Sequence, residues 1–360
     1  MSRVINFNAG PSALPLEVLE QTQKEMLDYA GSGMSILEHS HRGKVYEEVH
    51  RHTKTLISDL LRLDDDVEIL FMTGGASTQF ALVPMNLLTT ERPSADYIVT
   101  GTWGEKALSE AKLVGSARTC ASSEGVKYTR LPDAYDFDAQ AAYVHITSNN
   151  TIYGTQFTDF PDTGAVPLVA DMSSDFLSRR LDTKRFGLIY AGAQKNLGPA
   201  GVTVVIVKKA LLERENKTLP KIFRYQTFAK DDSLQNTPPV FAIYMMGHAL
   251  EWLGKQGGLK GIEVRNEKKA DLLYSTIDGS NGFFTCPVEV SARSKMNVVF
   301  KLPSEDLEKK FLAEAASAQM VGLKGHRSVG GMRASIYNAV SLDHVERLCE
   351  FMRTFAQKRA

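Results

Sequence analysis

The sequence predicts an α/β protein with a mostly parallel central sheet, followed by a smaller α+β unit. Short apolar runs rich in β-branched residues alternate with amphipathic stretches between about residues 65 and 210. This alternation is typical of strands joined by crossover helices. The runs are almost continuously apolar, as expected for strands that helices cover on both faces.

Each element follows from the local pattern. Six runs are predicted as sheet strands, in chain order EILFMTG, DYIVTG, AAYVHITS, VPLVADMS, GLIYAGA and VTVVIVKK. TWGEKALSEAKLVG, AIYMMGHALEWLGKQGG and the charged run GIEVRNEKKADLLYSTID are predicted as helices. From about residue 257 the second unit contains a predicted strand, MNVVFKL, and two predicted helices, LEKKFLAEAASAQ and SLDHVERLCEFMRTFAQK. The first fifteen residues hold two prolines and a glycine, which predicts an extended arm.

Composition narrows the function classes. The 360 residues are 43% hydrophobic and 23% charged, which is typical of a globular enzyme-sized chain. Lys plus Arg and Asp plus Glu are equal at 42 each, so we expect neither nucleic acid nor a membrane as partner. Without an apolar leader or a long apolar run, we expect a cytoplasmic protein. Cys120, Cys286 and Cys349 lack CxxC spacing, so neither disulfides nor a metal site is expected.

The segment TGGASTQF at 73–80 is the first candidate site. A predicted strand runs into Gly74 and Gly75, and Ala76, Ser77 and Thr78 then open a helix. Backbone N–H groups at such a turn can hold a phosphate. The segment matches neither GxGxxG nor the P-loop pattern. The structural alternative is a tight turn in which Ser77 caps the helix.

Three further side chains stand just after predicted strands. Asp171 follows VPLVA, where a buried carboxylate needs a cationic partner. Lys195 in AGAQKNLGPAG is enclosed by small residues, so desolvation should favour its neutral amine, which is a nucleophile. Trp103 offers a flat face for stacking. Taken singly, each has an ordinary alternative: a loop aspartate, a strand-end lysine and a core tryptophan.

Together these features are the parts that hold pyridoxal phosphate. In such a site the carboxylate keeps the ring nitrogen protonated, and the lysine amine binds the cofactor and moves the proton. Asp171 and Lys195 lie 24 residues apart at the ends of two predicted strands. This order and spacing resemble the aspartate-aminotransferase-type fold of pyridoxal-phosphate enzymes, also called fold type I.

A closer resemblance covers nearly the whole chain. It is carried by NFNAGP at 6–11, SHRGK at 40–44, GGASTQF at 74–80, ADMSSDFLSR at 170–179, YAGAQKNLGPAG at 190–201, NTPP at 236–239 and KGHRSVGGMRASIYN at 324–338. In these segments the chain resembles the phosphoserine aminotransferases of the class V pyridoxal-phosphate-dependent aminotransferase family. The resemblance implies a seven-stranded, mostly parallel sheet in a large cofactor-binding domain over 16–256. Residues 1–15 and 257–360 would then form the small α+β domain.

The resemblance also implies roles for individual residues. Those implied to bind the cofactor are Ala76, Ser77, Trp103, Thr151, Asp171, Gln194 and Lys195, with Asn236 and Thr237 reaching it from a neighbouring subunit. Lys195 and Asp171 would be catalytic. Arg333 corresponds to the clamp on the substrate α-carboxylate, and Arg42, with His326 and Arg327 of the other subunit, to the phosphate pocket. The planar fork of arginine suits both anionic groups.

The implied reaction moves an amino group reversibly from glutamate to 3-phosphohydroxypyruvate, giving O-phospho-L-serine and 2-oxoglutarate. It belongs to serine biosynthesis, with a related substrate in pyridoxine biosynthesis. The implied assembly is a homodimer with shared active sites. Two departures from the family stand out: Ala9 replaces a serine that contacts substrate in some members, and Ala76-Ser77 replaces Gly-Arg in one branch.

Three other functions remain open from the residues alone. Cysteine desulfurases resemble the QKNLGPAG segment, but they have histidine where this chain has Gln194 and need a cysteine on a mobile loop. Cys349 lies in a helical pattern and Cys286 adjoins Pro287, which argues against that role. A nicotinamide-dinucleotide dehydrogenase is suggested only by the glycine-rich turn. The last alternative is a non-catalytic binding protein on this scaffold.

Overall fold

The computed structural model describes residues 3–214 and 216–359. Residues 1, 2, 215 and 360, which fall within the expected domain ranges, lie outside the described residues. The strands are β1 (Ile5–Asn6), β2 (Val67–Met72), β3 (Ser94–Val99), β4 (Ser116–Ser122), β5 (Val144–Thr147), β6 (Leu168–Asp171), β7 (Phe186–Gly192), β8 (Thr203–Lys208), β9 (Asn297–Phe300), β10 (Met320–Val321) and β11 (Met332–Ser335). The helices are α1 (Leu16–Glu25), α2 (Lys44–Leu61), α3 (Gly75–Leu87), α4 (Thr102–Val114), α5 (Lys209–Leu212), α6 (Tyr225–Lys230), α7 (Val240–Lys255), α8 (Gly258–Asp278), α9 (Glu305–Ser317) and α10 (Leu342–Gln357).

The central sheet has seven strands in the order β2-β8-β7-β6-β5-β3-β4. Only β8 runs antiparallel to its neighbours, so the mostly parallel seven-stranded sheet is confirmed. All six strands predicted from apolar runs are present. The sequence analysis missed β4 because this edge strand, SARTCAS, is polar and largely exposed. β2, at the opposite edge, is apolar and mostly buried, so the exposure of β4 and not its edge position alone explains why it was missed.

The strands are buried on both faces because each face packs against its own set of helices. Ile69 and Phe71 of β2 belong to one apolar cluster, with residues of α2 and α7. Leu70 and Met72, which alternate with them, belong to a second cluster with residues of α3 and α4. Alternate side chains of a strand point to opposite faces, so a continuous apolar run is required. The prediction that helices cover both faces of the sheet is therefore confirmed.

A third apolar cluster lies in the C-terminal part of the chain. It joins Ile5 and Phe7 of the N-terminal arm to residues of α8, α9, α10 and β9. The arm is extended, and β1 pairs in parallel with β10. Helix α8 spans two cores, because Leu259 packs in the first cluster and Leu273 in the third. The domain boundary between 256 and 257 stays a prediction.

The sheet brings the candidate side chains to one edge. Strands β5, β6 and β7 end at Thr147, Asp171 and Gly192, and α3 and α4 begin just after β2 and β3. The carboxyl ends of parallel strands are where open α/β sheets bind ligands. Among the described helices, none has the length and apolar character needed to cross a bilayer.

Candidate active site

A cavity of about 380 Å³ opens at this edge of the sheet. The predicted site residues that line it are Ala76, Ser77, Trp103, Thr151, Asp171, Gln194, Lys195, His326 and Arg333. They come from helix starts, strand ends and the segment around β11, which are far apart in sequence. The fold therefore brings most of the predicted site together within one chain.

The N-terminus of α3 forms one wall of the cavity. Gly74 precedes the helix with φ of 89°, and a Cβ there would lie 1.9 Å from Thr78 Oγ1, so glycine is required. The first N–H groups of a helix have no partner within it and carry a partial positive charge. Those of Gly75, Ala76 and Ser77 are in this position. Ser77 is not the helix cap, because Gly74 is and no side chain caps this end. This wall can bind an anion such as phosphate.

Lys195 follows β7 and lines the cavity. Its Nζ donates a hydrogen bond to Thr151 Oγ1 at 2.7 Å. Burial, aided by the positive charge of Arg333, lowers the pKa of Lys195 from 10.5 to about 8, although the charge of Asp171 opposes this shift. Gly10 of the arm packs closely, since a Cβ at that position would lie 3.3 Å from Lys195 Cγ. The amine is therefore enclosed and partly neutral near neutral pH.

Asp171 is the last residue of β6 and only 5% exposed. Its Oδ1 accepts hydrogen bonds from Ser173 N at 2.9 Å and from Ser173 Oγ at 2.6 Å. Burial raises the pKa of Asp171, while the charge of Lys195 and the bonds from Ser173 lower it. Among the described residues no hydrogen bond or ion pair reaches Oδ2. This buried carboxylate can accept a bond from a cationic ligand atom.

Trp103 stands in the first turn of α4 and contributes to both core and cavity. The centroid of its ring lies 6.5 Å from that of Phe80, and Trp103 also lines the cavity. Lys195 Nζ is 5.8 Å from the ring centroid. The indole Nε1 is buried without a hydrogen-bond partner. Buried polar atoms are normally paired, so this N–H is available to donate a hydrogen bond to a ligand.

Arg333 and His326 form the side of the cavity toward the C-terminal part. Arg333, on β11, donates from Nη1 to the carbonyl oxygen of Thr151 at 2.9 Å, and its Nε is buried without a partner. Thr151 thus contacts both Lys195 and Arg333. Burial, together with the charges of Arg333 and Arg327, lowers the pKa of His326 below its usual value. His326 is therefore neutral near neutral pH and can still donate one hydrogen bond.

Four predicted site residues do not reach this cavity. Arg42, Arg327, Asn236 and Thr237 are exposed and absent from its lining. Arg42 lies in the turn before α2, and Asn236 and Thr237 lie before α7. Their assignment stays a prediction.

Sequence reasoning missed several lining residues. Ser173 lies two residues after Asp171, a spacing at which aspartate often bonds to the following backbone, and this signal was available. Thr147 pairs with Asp171 in the register of β5 and β6, and its Oγ1 is buried without a partner. Only the strand register could have identified it. Ala9, noted in sequence as a departure from the family, also lines the cavity.

The site has the donor set that pyridoxal phosphate requires. It combines an amine, a buried carboxylate with an uncommitted oxygen, an aromatic face and unpaired N–H groups at a helix start. None of the three cysteines lines the cavity: Cys120 and Cys349 are buried elsewhere and Cys286 is half-buried. This disfavours desulfurase chemistry. Over the described residues, no group of three His, Cys, Asp or Glu side chains could hold a metal ion.

Comparison with known proteins gives concordant findings. The model of the family Aminotransferase class-V matches residues 4–348. The phosphoserine aminotransferase of Bacillus subtilis (strain 168) is 55% identical over 359 residues, covering 99% of each chain. The solved structure of phosphoserine aminotransferase from Bacillus circulans subsp. alkalophilus matches with a TM-score of 0.98 and 53% identity over 99% of each chain. That of phosphoserine aminotransferase with bound PLP from Trichomonas vaginalis matches with a TM-score of 0.93 and 38% identity, covering 98% of this chain and 100% of that one.

Proposed function

The chain belongs to the class-V aminotransferase family, and we propose that it transfers an amino group between glutamate and 3-phosphohydroxypyruvate. The products are 2-oxoglutarate and O-phospho-L-serine, and the reaction is reversible. Its fold is fold type I and its cofactor is pyridoxal phosphate, as in the relative from Trichomonas vaginalis. The observation that carries the proposal is the convergence of Lys195, Asp171 and Arg333 on one cavity in a chain so similar to phosphoserine aminotransferases.

Pyridoxal phosphate, when bound, supplies an aldehyde for covalent attachment and a protonated ring that withdraws electrons from the substrate Cα. In this proposal Lys195 Nζ binds the cofactor, and Asp171 holds the proton on the ring nitrogen. The first N–H groups of α3, at Ala76 and Ser77, bind the phosphate, and Trp103 covers one face of the ring. Thr151 and Gln194 also line the cavity and would complete the contacts with the cofactor.

Lys195 also moves the proton. Once the substrate amine has replaced Lys195 on the cofactor, the released Lys195 amine would be able to remove a proton from the substrate Cα. Burial, which lowers the pKa of the free amine to about 8, favours its neutral form. Thr151 Oγ1, which accepts a hydrogen bond from Nζ, orients the amine. The enclosure that lowers the pKa also limits access of water to the reacting atoms.

Substrate recognition requires cations for two anionic groups. Arg333 keeps N–H groups uncommitted, including a buried Nε, and these suit the substrate α-carboxylate. Arg42, with Arg327 from a second subunit, is proposed to bind the phosphate. His326 was expected from that second subunit as well, but it lines the cavity of its own chain, where it can contact the same phosphate. Asn236 and Thr237 are proposed to reach the cofactor phosphate across the same interface. The four exposed residues among these would then join an active site only in the assembled dimer.

We further propose a homodimer with shared active sites that works in the cytoplasm in serine biosynthesis, and also on the related substrate of pyridoxine biosynthesis. A two-fold interface is self-complementary, so each subunit would both donate and receive these residues. The exposure of Arg42, Arg327, Asn236 and Thr237 in the single chain supports this proposal.

The reaction is tested by visible absorption of the purified protein with pyridoxal phosphate, before and after glutamate, followed by assay with phosphoserine and with serine. We expect a cofactor band that changes with glutamate, and a strong preference for phosphoserine because an unfilled cluster of cations is unfavourable. Arg42→Ala should narrow that preference. Equal kcat/KM for both amino acids would contradict the proposed phosphate pocket, and a protein that takes up no cofactor would contradict the whole proposal.

The shared site is tested by mixing two inactive variants, Lys195→Ala and Arg327→Ala, and refolding them together. Random pairing makes about half the dimers mixed, and each mixed dimer has one site with both defects and one intact site. Activity should therefore recover to roughly a quarter of normal. The matched control mixes Lys195→Ala with Asp171→Ala, two residues of one chain's cavity, and should give no recovery. Absence of recovery in both mixtures, with subunit exchange demonstrated, would rule out sharing.

A further inference from the structure

We propose that Ser173 is a positioning residue that ties the Asp171 carboxylate to the segment carrying Lys195 and keeps Asp171 Oδ2 facing the cofactor ring. The inference rests on the proposed function, because it concerns how Asp171 meets the ring nitrogen of pyridoxal phosphate. Ser173 is 6% exposed and lines the cavity directly after β6. It is thus buried beside the carboxylate and beside the end of the neighbouring strand.

The hydrogen bonds of Ser173 fix the direction of its hydroxyl proton. Ser173 Oγ accepts a bond from the N–H of Gly192 at 3.1 Å. A hydroxyl has a single proton, and here the acceptor for it is Asp171 Oδ1 at 2.6 Å. The N–H of Ser173 also donates to Oδ1, at 2.9 Å. Ser173 therefore gives two bonds to one carboxylate oxygen while it is held by the next strand.

This arrangement leaves the two oxygens of Asp171 unequal. Oδ1 has both bonds from Ser173, whereas Oδ2 has none from the described residues. The orientation of the carboxylate thus leaves Oδ2 available to a ligand. Hydrogen bonds to a carboxylate stabilise its charged form, and here they oppose both burial and the like charge of Asp175. The other charged or titratable groups acting on this pair are Lys195, which favours the carboxylate, and Tyr190 of β7.

The bond to Gly192 extends the effect toward Lys195. Gly192 is the last residue of β7. The next residue, Ala193, donates its N–H to the carbonyl oxygen of Val202 at 3.0 Å, and the turn that carries Lys195 follows. Gln194 folds back over Gly192, where an added Cβ would lie 2.6 Å from Gln194 Oε1. Ser173 therefore holds the start of the turn on which Lys195 stands three residues later. One side chain sets the positions of both the carboxylate and the amine.

The test compares Ser173→Ala with Ser178→Ala. Ser178 is a matched control because it is also a buried serine of the same segment, yet its Oγ donates to the Asp175 carbonyl and does not contact Asp171. The holoenzymes are loaded with pyridoxal phosphate labelled with nitrogen-15 in the ring, and the chemical shift of the ring nitrogen reports whether it is protonated. Steady-state kinetics with phosphoserine provide the second measurement.

In Ser173→Ala the carboxylate loses one charge-assisted bond and becomes more basic, so the proton shifts from the ring nitrogen toward Asp171. We expect the ratio of protonated to unprotonated ring nitrogen to fall about tenfold, and kcat to fall by no more than this factor, with KM nearly unchanged. Ser173→Thr, which keeps the hydroxyl, should have a ring-nitrogen shift close to that of the unaltered protein, as should Ser178→Ala.

Two results would overturn the inference. One is a ring-nitrogen shift in Ser173→Ala equal to that of Ser178→Ala, and the other is a Ser173→Thr variant that behaves like Ser173→Ala. Either result leaves the proposed function intact, provided that the unaltered protein binds the cofactor and reacts with glutamate. If the unaltered protein does neither, it is the proposed function that fails.

Discussion

Two lysines whose pKa values are lowered by burial, one at the sheet edge and one in the C-terminal core, differ in what their amines contact. Lys269 of α8 is 0% exposed, and its Nζ donates to the carbonyl oxygens of Ile336, Tyr337 and Val340 at 2.8, 2.8 and 2.9 Å. Lys195 Nζ donates to one side-chain oxygen and faces a cavity. Burial lowers the pKa of both. The difference teaches that burial makes a lysine unusual, but only an amine with uncommitted hydrogens and room for a ligand is suited to chemistry.

The largest expected effect is the loss of activity in Lys195→Met. In the proposed function the Lys195 amine both attaches the cofactor and removes the proton from the substrate Cα, so without it transamination should fall roughly 10⁴-fold or more. Borohydride treatment followed by peptide mapping should find no cofactor fixed to the segment around residue 195. Near-normal turnover in this variant would contradict a catalytic role for Lys195, and with it the proposed difference in role between Lys195 and Lys269.

Lys269→Met should instead act on stability. It leaves three buried carbonyl oxygens without their donor, which we expect to lower the free energy of unfolding by roughly 3 kcal/mol or more. Urea unfolding of the protein without cofactor measures this, with Lys195→Met as the matched variant that leaves no carbonyl unpaired. If Lys269→Met were as stable as Lys195→Met, the three bonds would contribute little.

The same pair of residues marks how far sequence reasoning reaches. Lys195 could be predicted because an apolar strand precedes it and small residues surround it, and these are local signals. Lys269 lies in RNEKKADLL, where neighbouring charges conceal that this lysine alone faces the core. A burial pattern on a helix that joins two cores depends on tertiary packing. Similarly, β4 was missed because its side chains are mostly exposed and its sequence is polar, unlike β2 at the opposite edge.

The site divides in a comparable way. Side chains at strand ends, such as Asp171, could be found because parallel strands bring their carboxyl ends together. The bonds from Ser173 to Asp171 and Gly192 depend on the side-by-side ends of β6 and β7, which no single segment encodes. Arg42 and Arg327 were identified only by resemblance, and in the single chain they face solvent. Local sequence patterns thus predict which side chains stand at a strand end, whereas the hydrogen bonds between neighbouring strand ends depend on tertiary packing.

A third expected effect is a difference in chemical reactivity. Because burial lowers the pKa of Lys195 from 10.5 to about 8, its neutral amine at pH 7 should be about 300 times more populated than that of an ordinary lysine. In the protein without cofactor, brief treatment with an amine-acylating reagent should modify Lys195 first, with half-maximal rate near pH 8. Lys269 should stay unmodified because it is 0% exposed and its amine donates to three carbonyl oxygens, whereas Lys195 is half-buried and faces a cavity. Mass mapping after short exposure measures both, and equal labelling of the two would contradict the comparison.

The smallest expected effect is a pH-dependent stability difference between the cofactor-free protein and its Lys195→Met variant. The pKa of Lys195 is about 8 when folded and near 10.5 when unfolded, so between these values the unfolded chain binds more protons and stability rises with pH. Below pH 8 the enclosed charge is unfavourable, and Lys195→Met should be more stable by about 1 to 2 kcal/mol, less than the full shift implies because the cavity admits solvent. This advantage should vanish as pH rises from 8 to 10.5.

Urea unfolding of both proteins across that range measures the difference. A difference that stays constant with pH would mean that the Lys195 amine keeps an ordinary pKa, and the contrast with Lys269 would then rest on hydrogen bonding alone.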